Sequence, residues 1–473
     1  MLYINGEWVN AISGKTMEVT NPATGDVIQA VASGDAEDTK TAIQAASQAF
    51  QTWRKVTAKD KSSYLRSIAE RLRARKEDLA RTVTEEMGKP YKESLGEVNL
   101  AIDYVDWYAE EAKRIYGDTI PASHADKRIM VVKEPVGVTA AVTPWNFPVA
   151  MITRKIAPAI AAGCPVILKP ASATPLSAIK VFEAIHEAEL PKGVANLVSG
   201  SASKVVGEMT SNELVRKITF TGSTEVGKKL MRDSADTVKK VSMELGGHAP
   251  FVVFNDADIE VAAEGAVASK FRNAGQTCIC TNRIYVQEDI AEQFGKVFAS
   301  KVAELKMGNG LEEGVDIGPL INEEALEKVE DHIQNATSYG GTILCGGKRG
   351  NNEAGVFYQP TVIQGATEEM KIATEETFGP VAPIFTFQTD EEAVRKANHA
   401  QYGLAAYCYT KNVNRAFYMM EELEYGIVGI NDAVPTTAQA PFGGVKESGI
   451  GREGGKYGIE EYLEEKFVSF NLG

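Results

Sequence analysis

The chain has 473 residues, 44% hydrophobic and 24% charged, which is more than one ordinary domain and enough apolar material for a large buried core. Fifty basic against 64 acidic residues leave a formal charge of −14. That balance argues against nucleic acid or an anionic membrane surface as the main partner, while a local basic pocket for an anionic substrate stays compatible with it.

The N-terminus, MLYINGEWVNAISGKT, has no basic start followed by an apolar run. It reads as two short strands around Asn5-Gly6 and not as a signal peptide. Residues 36–87 are helical in pattern, with Ala42, Ala45, Ala46, Phe50 and Trp53, then Tyr64, Ile68 and Leu72, on apolar faces. A second helical run covers 96–114, and 129–142 reads as extended. The most apolar window, 156–168, is broken by Pro158, Gly163 and Pro165. Nothing approaches the roughly 18 apolar residues of a membrane span.

Strand-like VILK (166–169), a helix at 175–188, VANLVSG (194–200), and Lys217 to Phe220 before a glycine turn and another helix follow in order. This alternation predicts a parallel α/β fold. It resumes at 249 with APFVVF, a helix over 258–272, RIYVQ, a helix over 290–305, a long loop (306–321) and a further helix. The stretch 117–134 and the tail EKFVSFNLG fit neither unit. Both are expected as edge strands, natural sites of subunit pairing. Five scattered cysteines, an odd number, suit free thiols in a reducing cytoplasm.

Several short segments carry chemistry. GIGREG (Gly449, Gly451, Gly454) matches G-x-G-x-x-G literally, but fewer than 20 residues remain after Gly454, too few for a βαβ unit. ITFTGSTEVGKKL (218–230) has the right context: a strand, then Gly222-Ser223-Thr224, then a helix start. Its N–H groups and the Ser223 hydroxyl can hold a pyrophosphate, or merely cap the helix. ILKPAS ends a strand with Lys169 and Ser172 and offers no acid, so it suits a ribose 2′-phosphate better than a 2′-hydroxyl. TPWNFP brackets Asn146 with prolines, as a rigid oxyanion donor or a packed aromatic turn. MELGGHAP places Glu244 before a glycine pair, as a general base or a surface turn residue. In RNAGQTCICTNR, Cys278 follows a glycine and two polar residues that suggest an exposed turn, and it is a candidate nucleophile.

Taken together, PWNFP, KPAS, FTGSTEVG, ELGG, GQTC, EETFGP (375–380) and PFGGVKESG (441–449), in this order, resemble the NAD(P)-dependent aldehyde dehydrogenase superfamily over essentially the whole chain. The resemblance implies a Rossmann-type cofactor domain (1–116 and 135–246), an α/β catalytic domain (247–446) and a small β oligomerisation element (117–134 and 456–473). It also implies a homodimer or homotetramer, and no metal. Cys278 would attack the aldehyde carbon, with the Asn146 amide and the Cys278 N–H at the oxyanion, and Glu244 would activate water against the thioester. Trp145, Lys169, Ser172, Gly222, Ser223, Glu376 and Phe378 would bind the cofactor. Where NAD-specific members have a glutamate three residues after the lysine, this chain has Ser172. That resembles members accepting NADP, so NADP or dual use is expected.

AMITRK (150–155), KFRNAGQTCIC (270–280) and GREGGKYGIEEYLE (451–464) look most like succinate-semialdehyde dehydrogenases. Arg154 and Arg272 match the residues that hold the substrate's distal carboxylate there. Paired guanidiniums grip a carboxylate with directed, charge-assisted bonds. Thr436 stands where several members carry an assisting serine, which leaves glutarate semialdehyde or another ω-carboxylated aldehyde open. General aliphatic or betaine-type aldehyde oxidation, and cofactor-independent thiol esterase activity, are the competing readings. Cys280 has no catalytic counterpart. It is a small buried residue or the redox partner of Cys278, since some succinate-semialdehyde dehydrogenases carry the same pair and are switched off when it oxidises.

Overall fold

The computed structural model describes residues 1–350 and 355–473; residues 351–354, within the expected catalytic span, lie outside the described residues. The asparagine-glycine turn puts Leu2–Ile4 against Glu7–Val9 as an antiparallel pair at one edge of an eight-stranded sheet. Inward from it come Ala195–Leu197, Val166–Lys169, Val138–Val142, Val215–Thr221 and Lys240–Glu244. These five run parallel. Their side chains are almost wholly buried, as expected for strands covered by helices on both faces.

The register explains how the site assembles. Val142 pairs with Lys169 on one side and Phe220 on the other, and Thr221 pairs with Glu244. The carboxyl ends of four neighbouring strands thus lie along one border. The segments holding Lys169, Asn146, Ser223 and Glu244 emerge there side by side, the usual ligand crevice of an open α/β sheet.

A seven-stranded sheet follows, in the order Thr342–Cys345, Thr361–Gln364, Val381–Phe387, Thr281–Gln287, Ala249–Val253, Ala405–Tyr409, Ile427–Ile430. All but the first strand run parallel to their neighbours. A third sheet is antiparallel, with Lys127–Pro135 between Asp118–Ile120 and Leu463–Asn471. The extended stretch before 135 is therefore not simply an edge: Lys127–Pro135 is the central strand, hydrogen-bonded on both sides, and only 118–120 and the tail form edges.

One further expectation changes. The helix expected over 258–272 ends at Lys270, because Asn273, Ala274 and Gly275 take positive φ of 53°, 53° and 74°. GIGREG itself contributes a short strand to the first sheet. Gly449–Ile450 pairs antiparallel with Met243 and Glu244, and a Cβ on Gly449 would lie 1.9 Å from the Met243 carbonyl oxygen. Its first glycine thus serves close packing behind the Glu244 strand. Among the described residues no helix is long and apolar enough to cross a membrane.

Candidate active site

Asn146 lies in the loop leaving Val138–Val142. Its backbone carbonyl accepts from Lys89 Nζ (2.6 Å) and Asn273 Nδ2 (3.1 Å), and its side-chain Nδ2 donates to the Gln276 carbonyl (3.0 Å). One amide hydrogen is thereby spent on anchoring, and the second is left for another acceptor. Glu97 completes the anchor. Oε2 receives the Lys89 ammonium at 2.6 Å, while Oε1 accepts the backbone N–H of Val149 and Ala150, at the start of the helix Ala150–Ala162. A carboxylate at that helix start satisfies otherwise unpaired donors.

The nucleophile segment is held as tightly. Glu93 accepts the Asn273 N–H at 2.8 Å. Gln276 is fully buried and satisfied at both ends: Nε2 donates to the Asn273 and Pro319 carbonyls, and Oε1 accepts from Ile321. Gly275 packs where a Cβ would lie 2.2 Å from the Gly379 carbonyl oxygen, and Gly247 where one would lie 2.1 Å from that of Cys278. The exposed turn expected around Cys278 is thus a buried one, and Cys278 is only 8% exposed. Its polar neighbours tolerate burial because the loop supplies partners for them.

Glu244 ends its strand fully buried, with neither carboxylate oxygen hydrogen-bonded. Arg154 Nη2 lies 3.7 Å from Oε2. Burial raises the Glu244 carboxyl above its ordinary value, and Arg154 pulls it back in part. Burial, then the Glu244 carboxylate, pushes the Cys278 thiol well up. A thiol held up in this way becomes a nucleophile only once it has given up its proton.

Two cavities meet at Cys278. One, of roughly 260 Å³, is lined by Trp145, Asn146, Gly222, Ser223, Glu244, Lys328, Glu376 and Phe378. Trp145 meets Phe378 edge-on at 5.6 Å between ring centres, and Phe378 holds a φ of 53°. Glu376 Oε1 accepts the Gly247 N–H at 3.1 Å, and burial raises its carboxyl to about 7. The Ser223 hydroxyl accepts the Val226 N–H at 3.4 Å, so it caps the helix Thr224–Ser234. Lys169 and Ser172 do not line this cavity. Lys169 is buried, and burial lowers its ammonium to about 8. Ser172 is exposed and donates to the Gly200 carbonyl at 3.4 Å.

The other cavity is lined by Tyr104, Phe147, Arg154, Arg272, Thr436 and Phe442, among others. Its two arginines differ. Arg154 is buried, with Nε 2.5 Å from Glu453 Oε2. Arg272 is half-buried, its guanidinium 5.0 Å from the Phe147 ring centre. Among the described residues no carboxylate lies within 4.0 Å of it. The Thr436 hydroxyl is buried and unpartnered. Cys280 turns to other groups: Sγ donates to the Gly275 carbonyl at 3.1 Å, and Lys270 Nζ lies 3.8 Å away. All five cysteines are free thiols.

Sequence reading missed Lys89, Glu93, Glu97, Tyr104 and Glu453. The four-residue spacing of Glu93 and Glu97 just after Lys89-Pro90 was the available signal, since it puts two carboxylates on one helix face. Glu453 lies inside GREGGKYGIEEYLE, a segment that carried the resemblance without any role for this glutamate.

A glycine-lined cleft bordered by a helix N-terminus and by Glu376 fits a dinucleotide, and a thiol at its inner end fits a carbonyl carbon presented from the opposite cavity. Such an arrangement belongs to cofactor-dependent oxidoreductases that act on aldehydes. Residues 8–468 match the Aldehyde dehydrogenase family, and the chain belongs to it. It is 52% identical over 472 residues to a glutarate-semialdehyde dehydrogenase of Pseudomonas putida, covering 99% of this chain and 97% of that protein. It is also 52% identical over 469 residues to an NADP(+) succinate-semialdehyde dehydrogenase of Escherichia coli, again covering 99% and 97%. A crystal structure of an E. coli NADP dependent enzyme superposes with a TM-score of 0.99 at 51% identity, covering 100% of this chain and 98% of that one.

Proposed function

We propose that this aldehyde dehydrogenase oxidises an ω-carboxylated aldehyde, succinate semialdehyde first, to the dicarboxylate. The observation that carries this reading is Arg272, a guanidinium with no carboxylate within 4.0 Å among the described residues, on the wall of a cavity that opens onto Cys278. A half-buried cation with no carboxylate in direct contact favours an anionic ligand. Thr436 and Arg154 line the same cavity. Relatives named for succinate and for glutarate semialdehyde are equally similar to this chain, so glutarate semialdehyde is the second reading.

In this mechanism the Cys278 thiol gives its proton to the facing Glu244 carboxylate, which passes it on to solvent, and the sulfur adds to the aldehyde carbon. The Asn146 amide and the Cys278 N–H bear the oxygen's negative charge, which is what permits a hydride to depart. NAD(P), when bound, supplies the hydride acceptor. The Cys278 thioester that remains is hydrolysed by water deprotonated by Glu244. Trp145, Gly222, Ser223, Glu376 and Phe378 would hold the nicotinamide half of the cofactor. Lys169 and Ser172 would face the adenosine ribose, which favours NADP or dual use. The three sheets support the division into cofactor, catalytic and oligomerisation parts. The third sheet exposes Phe467 (66%) and Phe470 (47%), as a surface for homodimer or homotetramer formation would.

A steady-state screen of semialdehydes of three to six carbons and their uncharged counterparts, with NAD and with NADP, tests the reading. The highest kcat/KM is expected for succinate or glutarate semialdehyde with NADP. A preference for uncharged or betaine-type aldehydes would overturn it.

A further inference from the structure

Arg154 stands where two carboxylates and the substrate cavity meet. Nε lies 2.5 Å from Glu453 Oε2, Nη2 lies 3.7 Å from Glu244 Oε2, and the guanidinium carbon lies 4.2 Å from the Phe442 ring centre. The same side chain borders the cavity beyond Cys278. Four acceptors thus compete for one guanidinium: Glu453, Glu244, the Met151 sulfur, which accepts from Nη2 at 2.8 Å, and the anionic tail of a bound substrate.

The two carboxylate contacts are unequal. Glu453 is close, and Lys155 from the same helix binds it as well. Glu244 is farther away and accepts no hydrogen bond. Arg272 has no comparable tie. An incoming carboxylate would therefore displace the Glu244 contact, the weaker of the two, and leave the Glu453 anchor in place.

On the reading that this cavity receives a carboxylated tail, we propose that the substrate's distal carboxylate takes Arg154 from Glu244, so that the correct aldehyde itself frees the general base for thioester hydrolysis. Glu244 is faced by Arg154 and Lys155 from the helix Ala150–Ala162, by Glu453 from the loop ahead of the last helix, and by Cys278 and Glu376 across the cleft. Tyr104 also senses its charge. Burial and the neighbouring carboxylates raise the Glu244 carboxyl, whereas the two cations lower it. Neutralising Arg154 with a substrate carboxylate removes part of the lowering influence and makes Glu244 a stronger base. Glu244 then takes a proton from water, the water oxygen bonds to the thioester carbon, and the carbon–sulfur bond breaks with its electron pair returning to Cys278. An uncharged aldehyde leaves Arg154 beside Glu244. Selectivity is then exerted in hydrolysis as well as in binding.

Acid-quenched flow with intact-protein mass spectrometry can follow the decay of the succinyl and butyryl adducts of Cys278 across pH, starting from succinate semialdehyde and butanal. In the wild-type enzyme the apparent pKa of decay should stand about one pH unit higher for the succinyl adduct. In Arg154→Gln the two should coincide. The wild-type comparison requires no variant and stands even if Arg154→Gln does not fold. Equal apparent pKa values in an enzyme that still prefers succinate semialdehyde in kcat/KM would overturn the exchange alone. Absence of that preference would overturn the substrate reading and the exchange with it.

Discussion

The Lys89 ammonium lies 2.6 Å from the Asn146 carbonyl oxygen and 2.6 Å from Glu97 Oε2, so one buried cation ties the oxyanion loop to the helix Tyr91–Glu111. The same helix holds the nucleophile loop through Glu93 and the Asn273 N–H. Asn146→Ala should lower kcat by about 10²–10³, the cost of an oxyanion donor. Lys89→Met paired with Glu97→Gln, which avoids an unpaired buried charge, should lower it between about 10- and 100-fold through misplacement. In the Asn146→Ala background that pair should add little. Full additivity in the double-mutant cycle would show that Lys89 acts elsewhere.

Among the described residues Arg272 has no carboxylate within 4.0 Å and feels Glu93 only at longer range, so its removal should fall mainly on the substrate tail. Arg272→Ala is expected to raise KM for succinate semialdehyde about 10- to 100-fold, in line with roughly 1.5–3 kcal/mol for a charged hydrogen bond. KM for butanal should barely move. Equal effects on both aldehydes would refute the carboxylate role.

Burial lowers the Lys169 ammonium to about 8, and the charged form is the one that attracts a 2′-phosphate. The charge is present below that value and lost above it. KM for NADP should therefore rise as pH passes 8, while KM for NAD stays level, and Lys169→Met should abolish the difference. Strict NAD preference at every pH would sink the assignment.

Gly247 has no room for a side chain, since a Cβ would lie 2.1 Å from the Cys278 carbonyl oxygen. Gly247→Ala must shift the nucleophile or its own strand end. Activity should fall by about 10² or more, while the far-ultraviolet circular dichroism stays native. A variant with parental kcat would show that the two loops separate easily.

Cys280 donates to the Gly275 carbonyl and lies beside Lys270, two residues from the nucleophile. Peroxide should inactivate the enzyme and dithiothreitol restore it, whereas Cys280→Ala should inactivate without recovery. Identical recovery in parent and variant would reduce Cys280 to a packing residue.

The strand–helix alternation was legible because burial on both faces of a parallel sheet imposes short apolar runs separated by amphipathic helices. The tail and the 117–134 stretch also announced themselves as extended segments, though only pairing revealed Lys127–Pro135 as the middle strand. Polar residues misled. Gly275, Gln276 and Thr277 suggested solvent, yet the loop folds inward because Pro319, Ile321 and Asn273 satisfy the Gln276 side chain.

The sequence by itself determined the family, the parallel α/β character and the candidates Cys278, Glu244 and Asn146, because these depend on residue types in short, ordered motifs. Only the tertiary structure decided which charges meet. It placed Lys89 and Glu97 behind Asn146, bound Arg154 to Glu453, and left Arg272 with no carboxylate in direct contact. Those pairings join residues up to some 300 positions apart, and local patterns carry no record of such distances.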